Sequence, residues 1–164
     1  MKNPKQPVIH IIDRNMSYRK VIEGLVRVLG INRISTSECC EELLSTKVQP
    51  DIVILDHLMG ENKIKGLDFM RTYAPSRFPN TRFIFLSSST NLDIAVDSIR
   101  AGAYDYIVKS KSGLERMMKR LDKLIKSYRL LHRKKVQMRT VAITLGMFSI
   151  LFVLFILLYN NQVF

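Results

Sequence analysis

The sequence predicts an α/β fold in which five parallel strands form a doubly wound sheet. Apolar, β-branched runs alternate along the chain with segments of helical periodicity. Two of these runs, PVIHIID at 7 to 13 and DIVILD at 51 to 56, end in an aspartate, and their consecutive apolar residues suit strands buried on both faces. Because crossovers between parallel strands are right-handed, such an alternation builds a doubly wound sheet with functional groups at the carboxyl ends of its strands.

The first helix is expected over residues 16 to 29, directly after the first strand. Asn15 or Ser17 can cap its start, and Gly30 is a stop signal. The face expected to pack on the sheet carries Val21, Leu25 and Val28.

The remaining elements follow the same alternation. A short strand, RIST at 33 to 36, leads into a helix over 37 to 46, and after the third strand the loop HLMGENKIK leads into the helix GLDFMRTYA at 66 to 74. The later elements are the strand RFIFLS (82 to 87), the helix LDIAVDSIRAG (92 to 102), the strand YDYIV (104 to 108) and a long helix from about Ser112.

Charge is distributed unevenly along the chain. Residues 1 to 108 hold 14 Lys/Arg and 12 Asp/Glu, whereas residues 109 to 139 hold 12 and 2. The adjacent Cys39 and Cys40 favour a reducing compartment, where they pack as small apolar side chains. The N-terminal MKNPKQPVIHIID lacks the apolar run of a signal peptide, so the soluble part is expected in the cytoplasm.

Four chemically active residues end four of the predicted strands. Asp13 ends the first strand, Asp56 the third and Ser87 the fourth, and Lys109 follows the fifth. A doubly wound sheet brings these ends to one edge. Two carboxylates, a hydroxyl and an ammonium in one place can hold a divalent cation and stabilise a phosphoryl group on a carboxylate.

These residues belong to segments by which the chain resembles the receiver domain of two-component response regulators. The resemblance covers residues 7 to about 130 and includes a Ser87-to-Lys109 spacing of 22, which is typical of the family. It implies a flavodoxin-like fold of the chemotaxis-response-regulator superfamily. The segments that carry it are IIDRN (11 to 15), DIVILDHLMG (51 to 60), FLSSS (85 to 89) and AGAYDYIVKS (101 to 110).

The resemblance implies a role for each residue at this edge. Asp56 would be the phosphoacceptor, and Asp13 and Asp56, with the backbone carbonyl of Leu58, would bind Mg²⁺. Lys109 would pair with the phosphoryl oxygens. Ser87 would be the switch hydroxyl, and Tyr106 would be the switch aromatic.

The sequence departs from the family at the acidic pair, where Arg14 stands in the place of a Mg²⁺ ligand. A guanidinium removes one oxygen ligand and repels the ion, so we expect weak Mg²⁺ binding. Alternatively, Arg14 points away from the site or lends its own charge against phosphate. Two further departures are a long basic loop carrying Lys63 and Lys65, and Ser110 in place of a cis-proline, which predicts a trans peptide bond.

Two histidines are expected to have structural roles. His10 lies within the first strand and should be a hydrogen-bonded core or edge residue. His57 directly follows Asp56 and is expected to be solvated in the loop, although it could tune the lifetime of a phosphoryl group. Neither belongs to a His/Cys cluster with metal-ligand spacing.

The last helix carries an apolar stripe with a spacing of three and four residues. Its first half is expected to pack on the sheet. Its second half is expected either to pair with another copy of the chain or to lie against membrane headgroups. The stripe consists of Leu114, Met117, Leu121, Leu124, Tyr128 and Leu131.

Residues 140 to 159, TVAITLGMFSILFVLFILLY, contain no charged side chain. As a helix this run spans about 30 Å, the thickness of a bilayer core. The basic residues upstream predict that the receiver lies on the cytoplasmic side of the inner membrane. The expected divisions are a receiver domain at 1 to 130, a basic juxtamembrane segment at 131 to 139, a transmembrane helix at 140 to 159 and a short tail at 160 to 164.

The sequence thus predicts a membrane-anchored signalling protein rather than an enzyme. Its expected partners are a histidine kinase or phosphotransfer protein, a downstream protein on the face of the fourth helix, fifth strand and fifth helix, and membrane lipid. No nucleic-acid-binding module is recognised after the receiver, and attraction to anionic headgroups explains the basic segment. The alternative is a phosphorylation-independent membrane scaffold, which Arg14 favours and the pair of Asp56 and Lys109 opposes.

Overall fold

The computed structural model describes residues 6–161, and residues 1–5 of the expected receiver and 162–164 of the expected tail lie outside it. Its centre is a five-stranded sheet in which every neighbouring pair is parallel, in the order β2-β1-β3-β4-β5. The doubly wound fold is therefore confirmed. The strands are β1 (Ile9–Ile12), β2 (Ile34–Ser37), β3 (Ile52–Leu55), β4 (Arg82–Ser87) and β5 (Asp105–Val108).

Helices connect the strands on both faces of the sheet. There is one more helix than the sequence predicts, because the third expected helix is divided in two. The helices are α1 (Met16–Val28), α2 (Cys40–Ser45), α3 (Gly66–Thr72), α4 (Ala74–Arg77), α5 (Leu92–Arg100) and α6 (Lys111–Asn161).

Alternating strand residues supply two separate cores, as the two-residue period of a strand requires. On one face, Ile9 and Ile11 pack with α1 and the first part of α6. On the other face, Phe83 and Phe85 pack with α2, α3 and α4. Every buried residue of both cores precedes residue 126, so a fragment ending at Arg133 retains both cores complete.

Helix α1 confirms its predicted ends but not its predicted face. The Asn15 side chain caps the start by accepting the N–H of Tyr18, and Gly30, with φ of 76°, follows the end. The most deeply buried side chains are Ile22 and Val26. Of the predicted face only Leu25 packs against the core, because the apolar positions form a broad arc, of which Val21 and Val28 are the exposed edge.

The third expected helix is interrupted at Tyr73. Pro75 lies in the first turn of α4, where a missing N–H and a fixed φ are tolerated. One continuous helix would place Pro75 in its interior and remove a backbone hydrogen bond, so the chain ends α3 at Thr72 and starts again at Ala74.

Helix α6 packs on the sheet through its first half and continues well beyond it. Met117 and Leu121 are fully buried and Leu124 is 9% exposed, which confirms the packing expected of the first half. The sequence also allows a dimer seam through Leu121, Leu124, Tyr128 and Leu131, and this prediction was wrong for Leu121 and Leu124, because the domain itself covers their side chains. Leu131 is 63% exposed and begins the part of the helix that leaves the domain.

The distal part of α6 is long and apolar enough to cross a membrane, judged by length and composition alone. The described side chains between 141 and 154 are all exposed, so this segment is not part of the receiver core. The proposed transmembrane run of 140 to 159 is helical throughout.

Candidate functional site

The carboxyl edge of the sheet brings together the side chains that the sequence placed at strand ends. The Asp13 N–H donates to the Ser37 carbonyl, the Asp56 N–H to the Ile12 carbonyl at 2.9 Å, and the Lys109 N–H to the Ser87 carbonyl at 2.8 Å. These hydrogen bonds extend the parallel ladders by one residue past each strand. The site is thus positioned by the sheet itself, not by flexible loops.

A partly buried ammonium lies between two buried carboxylates at this edge. The Lys109 Nζ is 2.6 Å from the Asp13 Oδ2 and 2.7 Å from the Asp56 Oδ2. Asp13 is 2% exposed and Asp56 is 4% exposed. Burial alone would lower the pKa of Lys109, but its hydrogen bonds to both carboxylates outweigh burial and raise it. Lys109 is therefore a fixed positive charge in the site.

Backbone N–H groups hold the remaining carboxylate oxygens. The Asn15 N–H donates to the Asp13 Oδ1 at 2.8 Å, and the Leu58 N–H donates to the Asp56 Oδ1 at 3.2 Å. The Arg19 guanidinium donates to the Asp13 carbonyl. Charge-assisted hydrogen bonds of this kind fix the rotamer of a carboxylate, so both aspartates are preorganised.

Gly66 allows the chain to pass close to the backbone carbonyl of Asp56. A Cβ at this position would lie 2.7 Å from the Asp56 carbonyl oxygen and 2.9 Å from the Phe85 ring. No side chain fits there, so Gly66 lets α3 begin directly against the end of β3. The long basic loop predicted before Gly66 lies outside this contact, with Lys63 and Lys65 exposed.

Tyr18 is a neighbour of the site that the sequence did not indicate. The Lys109 Nζ lies 4.8 Å from the centroid of the Tyr18 ring, a distance at which a cation is attracted to an aromatic face. Burial raises the pKa of Tyr18. Tyr18 lies in the first turns of α1, and only the folded topology brings it over the lysine.

Ser87 and Tyr106 both contact one residue, Ser89. Ser87 is fully buried, and its Oγ accepts the Ser89 N–H at 3.2 Å. The Tyr106 hydroxyl donates to the Ser89 carbonyl at 2.9 Å, and its ring stacks on Phe85 at 6.1 Å between centroids. Tyr106 is 8% exposed, so its side chain is turned into the domain.

The two expected structural histidines behave differently. His10 is 3% exposed, and its ring nitrogens bond the hydroxyls of Ser35 and Ser37, as expected of a core histidine. Burial lowers its pKa to about 4. His57 is 7% exposed, so the prediction of a solvated loop histidine was wrong. Burial against Phe85 lowers the pKa of His57, and the neighbouring charge of Asp56 only partly opposes this.

Arg14 is exposed and has no ion-pair partner among the described residues. Within residues 6–161 no group of three or more His, Cys, Asp or Glu side chains is arranged to hold a metal. Asp13 and Asp56 alone still offer two hard oxygen ligands. Since Mg²⁺ keeps several waters and commonly uses one or two carboxylates, this donor set fits a largely hydrated Mg²⁺.

Three further predictions concern the peptide bond before Ser110, the two adjacent cysteines and Leu58. None of the described peptide bonds is cis, which confirms the trans bond expected before Ser110. Cys39 and Cys40 are free and buried, as expected of small apolar side chains. Leu58 lies two residues beyond Asp56 and is 40% exposed, and its carbonyl as a metal ligand stays a prediction.

A shallow apolar cavity of about 360 Å³ opens beside Tyr106 on the face formed by α5, β5 and α6. These elements are the predicted fourth helix, fifth strand and fifth helix. Arg116, which lines the cavity, and Arg120 both form ion pairs with the buried Asp105, at 2.6 and 2.7 Å. The cavity is lined by Ala95, Val96, Ile99, Arg100 and Tyr106, among others.

Comparison with known proteins agrees with this geometry. A family model described as the response regulator receiver domain matches residues 9–122. The chain is similar to the chemotaxis protein CheY of Listeria monocytogenes serovar 1/2a, with 30% identity over 118 residues, or 71% of this chain and 96% of that protein. It is also similar to the DNA-binding transcriptional activator DevR/DosR of Mycobacterium tuberculosis, with 30% identity over 101 residues, or 58% of this chain and 45% of that protein.

Solved structures support the fold. The receiver domain of NtrX from Brucella abortus matches with a TM-score of 0.64 and 22% identity, covering 72% of this chain and 98% of that one. A response regulator from Thermotoga maritima matches with a TM-score of 0.63 and 24% identity, covering 74% and 99%. These matches extend over most of each receiver.

Proposed function

Because this chain belongs to the response-regulator receiver family, we propose that it acts in a phosphorelay by accepting a phosphoryl group on Asp56. The donor is a phosphohistidine on a histidine kinase or a phosphotransfer protein. An Asp56 oxygen attacks the phosphorus, the bond from phosphorus to the donor nitrogen breaks, and the imidazole keeps the electron pair. The product is an acyl phosphate on Asp56, and the chain itself performs no further chemistry as an enzyme.

One observation carries this proposal: the Lys109 Nζ lies 2.7 Å from Asp56 inside a buried site. Phosphoryl transfer needs little covalent help from a protein, but it needs fixed positive charge beside the equatorial oxygens. An ammonium that already contacts the acceptor carboxylate can contact a phosphoryl group on it. Mg²⁺ held by Asp13, Asp56 and the Leu58 carbonyl would supply further positive charge there.

The output proposal rests on the contacts of Ser89. Ser87 holds the N–H of this residue and Tyr106 holds its carbonyl. A phosphoryl oxygen on Asp56 that accepts the Ser87 O–H would draw the Ser87 Oγ away from the Ser89 N–H, and the resulting shift of Ser89 would release the Tyr106 hydroxyl from its carbonyl. The face formed by α5, β5 and α6 then changes shape, and a downstream protein binds it.

The experiment is to treat the fragment ending at Arg133 with a small phosphodonor and Mg²⁺ and to measure its intact mass. We expect one added phosphoryl group in the wild type and none in Asp56→Asn. Asp68→Asn is the matched control, because it removes an exposed carboxylate from α3 with the same change of charge. Equal labelling of wild type and Asp56→Asn would exclude Asp56 as the acceptor.

We further propose that residues 140 to 159 anchor the chain in the inner membrane, with the receiver in the cytoplasm. The uncharged helical run and the Arg and Lys residues before it support this orientation. Cells expressing the full chain are fractionated beside cells expressing the fragment ending at Arg133. We expect only the full chain in membranes, resistant to alkaline carbonate. Extraction of the full chain by carbonate would contradict the anchor.

A scaffold that works without phosphorylation is the second candidate function. Arg14 replaces an acidic ligand, and Tyr106 is already turned inward in the chain as it stands. Such a chain would present its α5, β5 and α6 face to a partner permanently. Failure of the wild-type fragment to label, under conditions that label an ordinary receiver, would favour the scaffold.

A further inference from the structure

We propose that the amino-terminal edge of the sheet is a docking surface for the anionic phosphates of a bilayer, which holds the receiver with Asp56 facing away from the membrane. The inference rests on the membrane anchor proposed above and adds a second membrane contact, made by the receiver itself. Its evidence is the direction of α6, the charge of this edge and a groove that opens there.

The direction of α6 determines which edge of the sheet faces the membrane. Gly113, in its first turn, lies at the carboxyl edge, where a Cβ would be 2.0 Å from the Val108 carbonyl oxygen. Further along, Tyr128 and Leu131 line a groove together with Arg82 and Tyr104, at the beginnings of β4 and β5. The helix therefore runs from the phosphoacceptor edge to the opposite edge and leaves the domain there.

The distance from this edge to the bilayer is short. From Leu131 to Thr140, where the uncharged run begins, nine residues of helix rise about 14 Å. The headgroup layer occupies about 5 to 7 Å of this distance. The remaining gap is comparable to the Debye length of about 8 Å at physiological ionic strength. Charges at the amino-terminal edge of the sheet are therefore close enough to be attracted by anionic headgroups.

The charges at this edge have the required sign. Arg33, Lys47 and Arg82 are exposed in or beside the loops that lead from helices into strands. Among the described residues, none of the three has an ion-pair partner. The carboxylate in these loops is Asp51, and its Oδ2 already accepts the Val8 N–H at 2.8 Å. The edge therefore presents three cations without an ion-pair partner, of which Arg33 donates to the Gln6 carbonyl, and one carboxylate that already accepts a hydrogen bond.

A groove of about 730 Å³ gives this surface a place for a phosphate group. Asp51, whose Oδ2 already accepts the Val8 N–H, is part of its lining, and the donors that line it are Lys123, Arg82 and the hydroxyl groups of Ser127 and Tyr128. Phosphate oxygens accept hydrogen bonds from all four of these side chains. By contrast, the loops at the phosphoacceptor edge contain acids and bases in equal number, so that edge has no such attraction to the membrane.

The test uses the full chain in lipid nanodiscs and exploits the absence of tryptophan from the sequence. Asn80→Trp places one fluorophore in the groove, and Glu61→Trp places one in the loop at the opposite edge. The discs contain a lipid with a nitroxide on its headgroup, which quenches nearby tryptophan. In discs rich in phosphatidylglycerol, we expect loss of fluorescence in Asn80→Trp but not in Glu61→Trp. In discs of phosphatidylcholine alone, we expect the loss to disappear.

Charge variants identify the contact. Arg82→Gln with Lys123→Gln, made in the Asn80→Trp chain, should restore its fluorescence in anionic discs. Lys20→Gln with Lys119→Gln removes two exposed cations elsewhere and should leave the quenching unchanged. Circular dichroism checks that each variant is folded.

Three results would overturn the inference. These are equal quenching of both tryptophans, equal quenching in both kinds of disc, and quenching that persists without Arg82 and Lys123. A chain that does not enter nanodiscs at all would overturn the membrane anchor as well, which separates the failure of the two proposals.

Discussion

At the scale of single residues, the most consequential contact is the ammonium of Lys109 between Asp13 and Asp56. Removing one partner from a buried ion pair costs about 3 to 5 kcal/mol, because it leaves a charge without compensation. Here the loss of Lys109 would leave two buried carboxylates side by side. This residue therefore supports the fold of the site as well as its proposed chemistry.

Arg14 makes a second residue-scale prediction. Changing Arg14→Asp adds an oxygen ligand beside Asp13 and removes a positive charge, so Mg²⁺ should bind the Arg133-terminated fragment more tightly and labelling by a small phosphodonor should be faster. Titration calorimetry measures the affinity, and intact mass against time measures the rate.

Arg14→Gln separates the effect of the removed positive charge from the effect of the added oxygen ligand. It removes the charge without adding a carboxylate, and we expect it to lie between the wild type and Arg14→Asp. Equal Mg²⁺ affinity in all three chains would mean that Arg14 does not act on the site, as its exposure allows.

His10 predicts a dependence of stability on pH. Its pKa is lowered to about 4 by burial, against 6.5 in an unfolded chain, so the unfolded state binds more protons between these values. Stability is complete above pH 6.5 and falls as the pH decreases toward 4. At pH 5 the loss from this residue is about 2 kcal/mol, from the linkage between pKa and folding.

Urea unfolding of the Arg133-terminated fragment at pH 7 and pH 5 measures this effect. His10→Gln should lose less stability than the wild type between the two pH values, because it removes one of the groups that must be protonated. Parallel losses in the two proteins would show that His10 does not contribute.

Some site residues could be predicted from the sequence and others could not, for a definite reason. Asp13, Asp56 and Lys109 end or follow consecutive-apolar strands, and parallel strands must bring their ends together. Tyr18 and His57 reach their positions through the angle of α1 and the path of a loop. Neither position depends on a period in the sequence, so Tyr18 was missed and the burial of His57 was not predicted.

At the scale of elements, α6 combines a core helix with a helix that leaves the domain. Leu121 is fully buried, whereas Leu131, on the same predicted stripe, is 63% exposed. We expect Leu121→Ala to lower the free energy of unfolding of the soluble fragment by about 2 to 5 kcal/mol. Leu131→Ala should change it by no more than about 0.5 kcal/mol.

Urea denaturation of both variants gives the comparison directly. Similar losses would mean that Leu131 is also packed in the isolated fragment, either on the domain or against a second copy. Sedimentation of the same samples distinguishes these two explanations, because only the second raises the mass.

Helix periodicity was a better guide to the presence of elements than to their faces. In α1, apolar residues cover so wide an arc that spacing alone could not tell Ile22 and Val26 from Val21 and Val28. In the third helix, Pro75 was a visible signal for the interruption, since proline belongs in a first turn and not in an interior. The strands were easier to predict because each is covered on both faces and therefore shows consecutive apolar residues in the sequence.

At the scale of the whole molecule, the sheet separates two ends with different proposed tasks. The edge that holds Asp56 carries the buried site, and the opposite edge carries exposed cations and the exit of α6. Asp56 would then face soluble partners, while the face of α5, β5 and α6 stays accessible at the side. The fold could be predicted at this scale because each strand, helix and turn signal agrees with the same topology.

The most direct test of the central claim is to map the phosphoryl group in the full chain. Membranes containing the chain are treated with a small phosphodonor and Mg²⁺, and the acyl phosphate is reduced with borohydride, which converts a phosphorylated aspartate to homoserine. Tandem mass spectrometry should find homoserine at position 56, and neither at position 13 nor in the Asp56→Asn chain. Homoserine at another aspartate, or none while an ordinary receiver labels in parallel, would contradict phosphoryl transfer to Asp56.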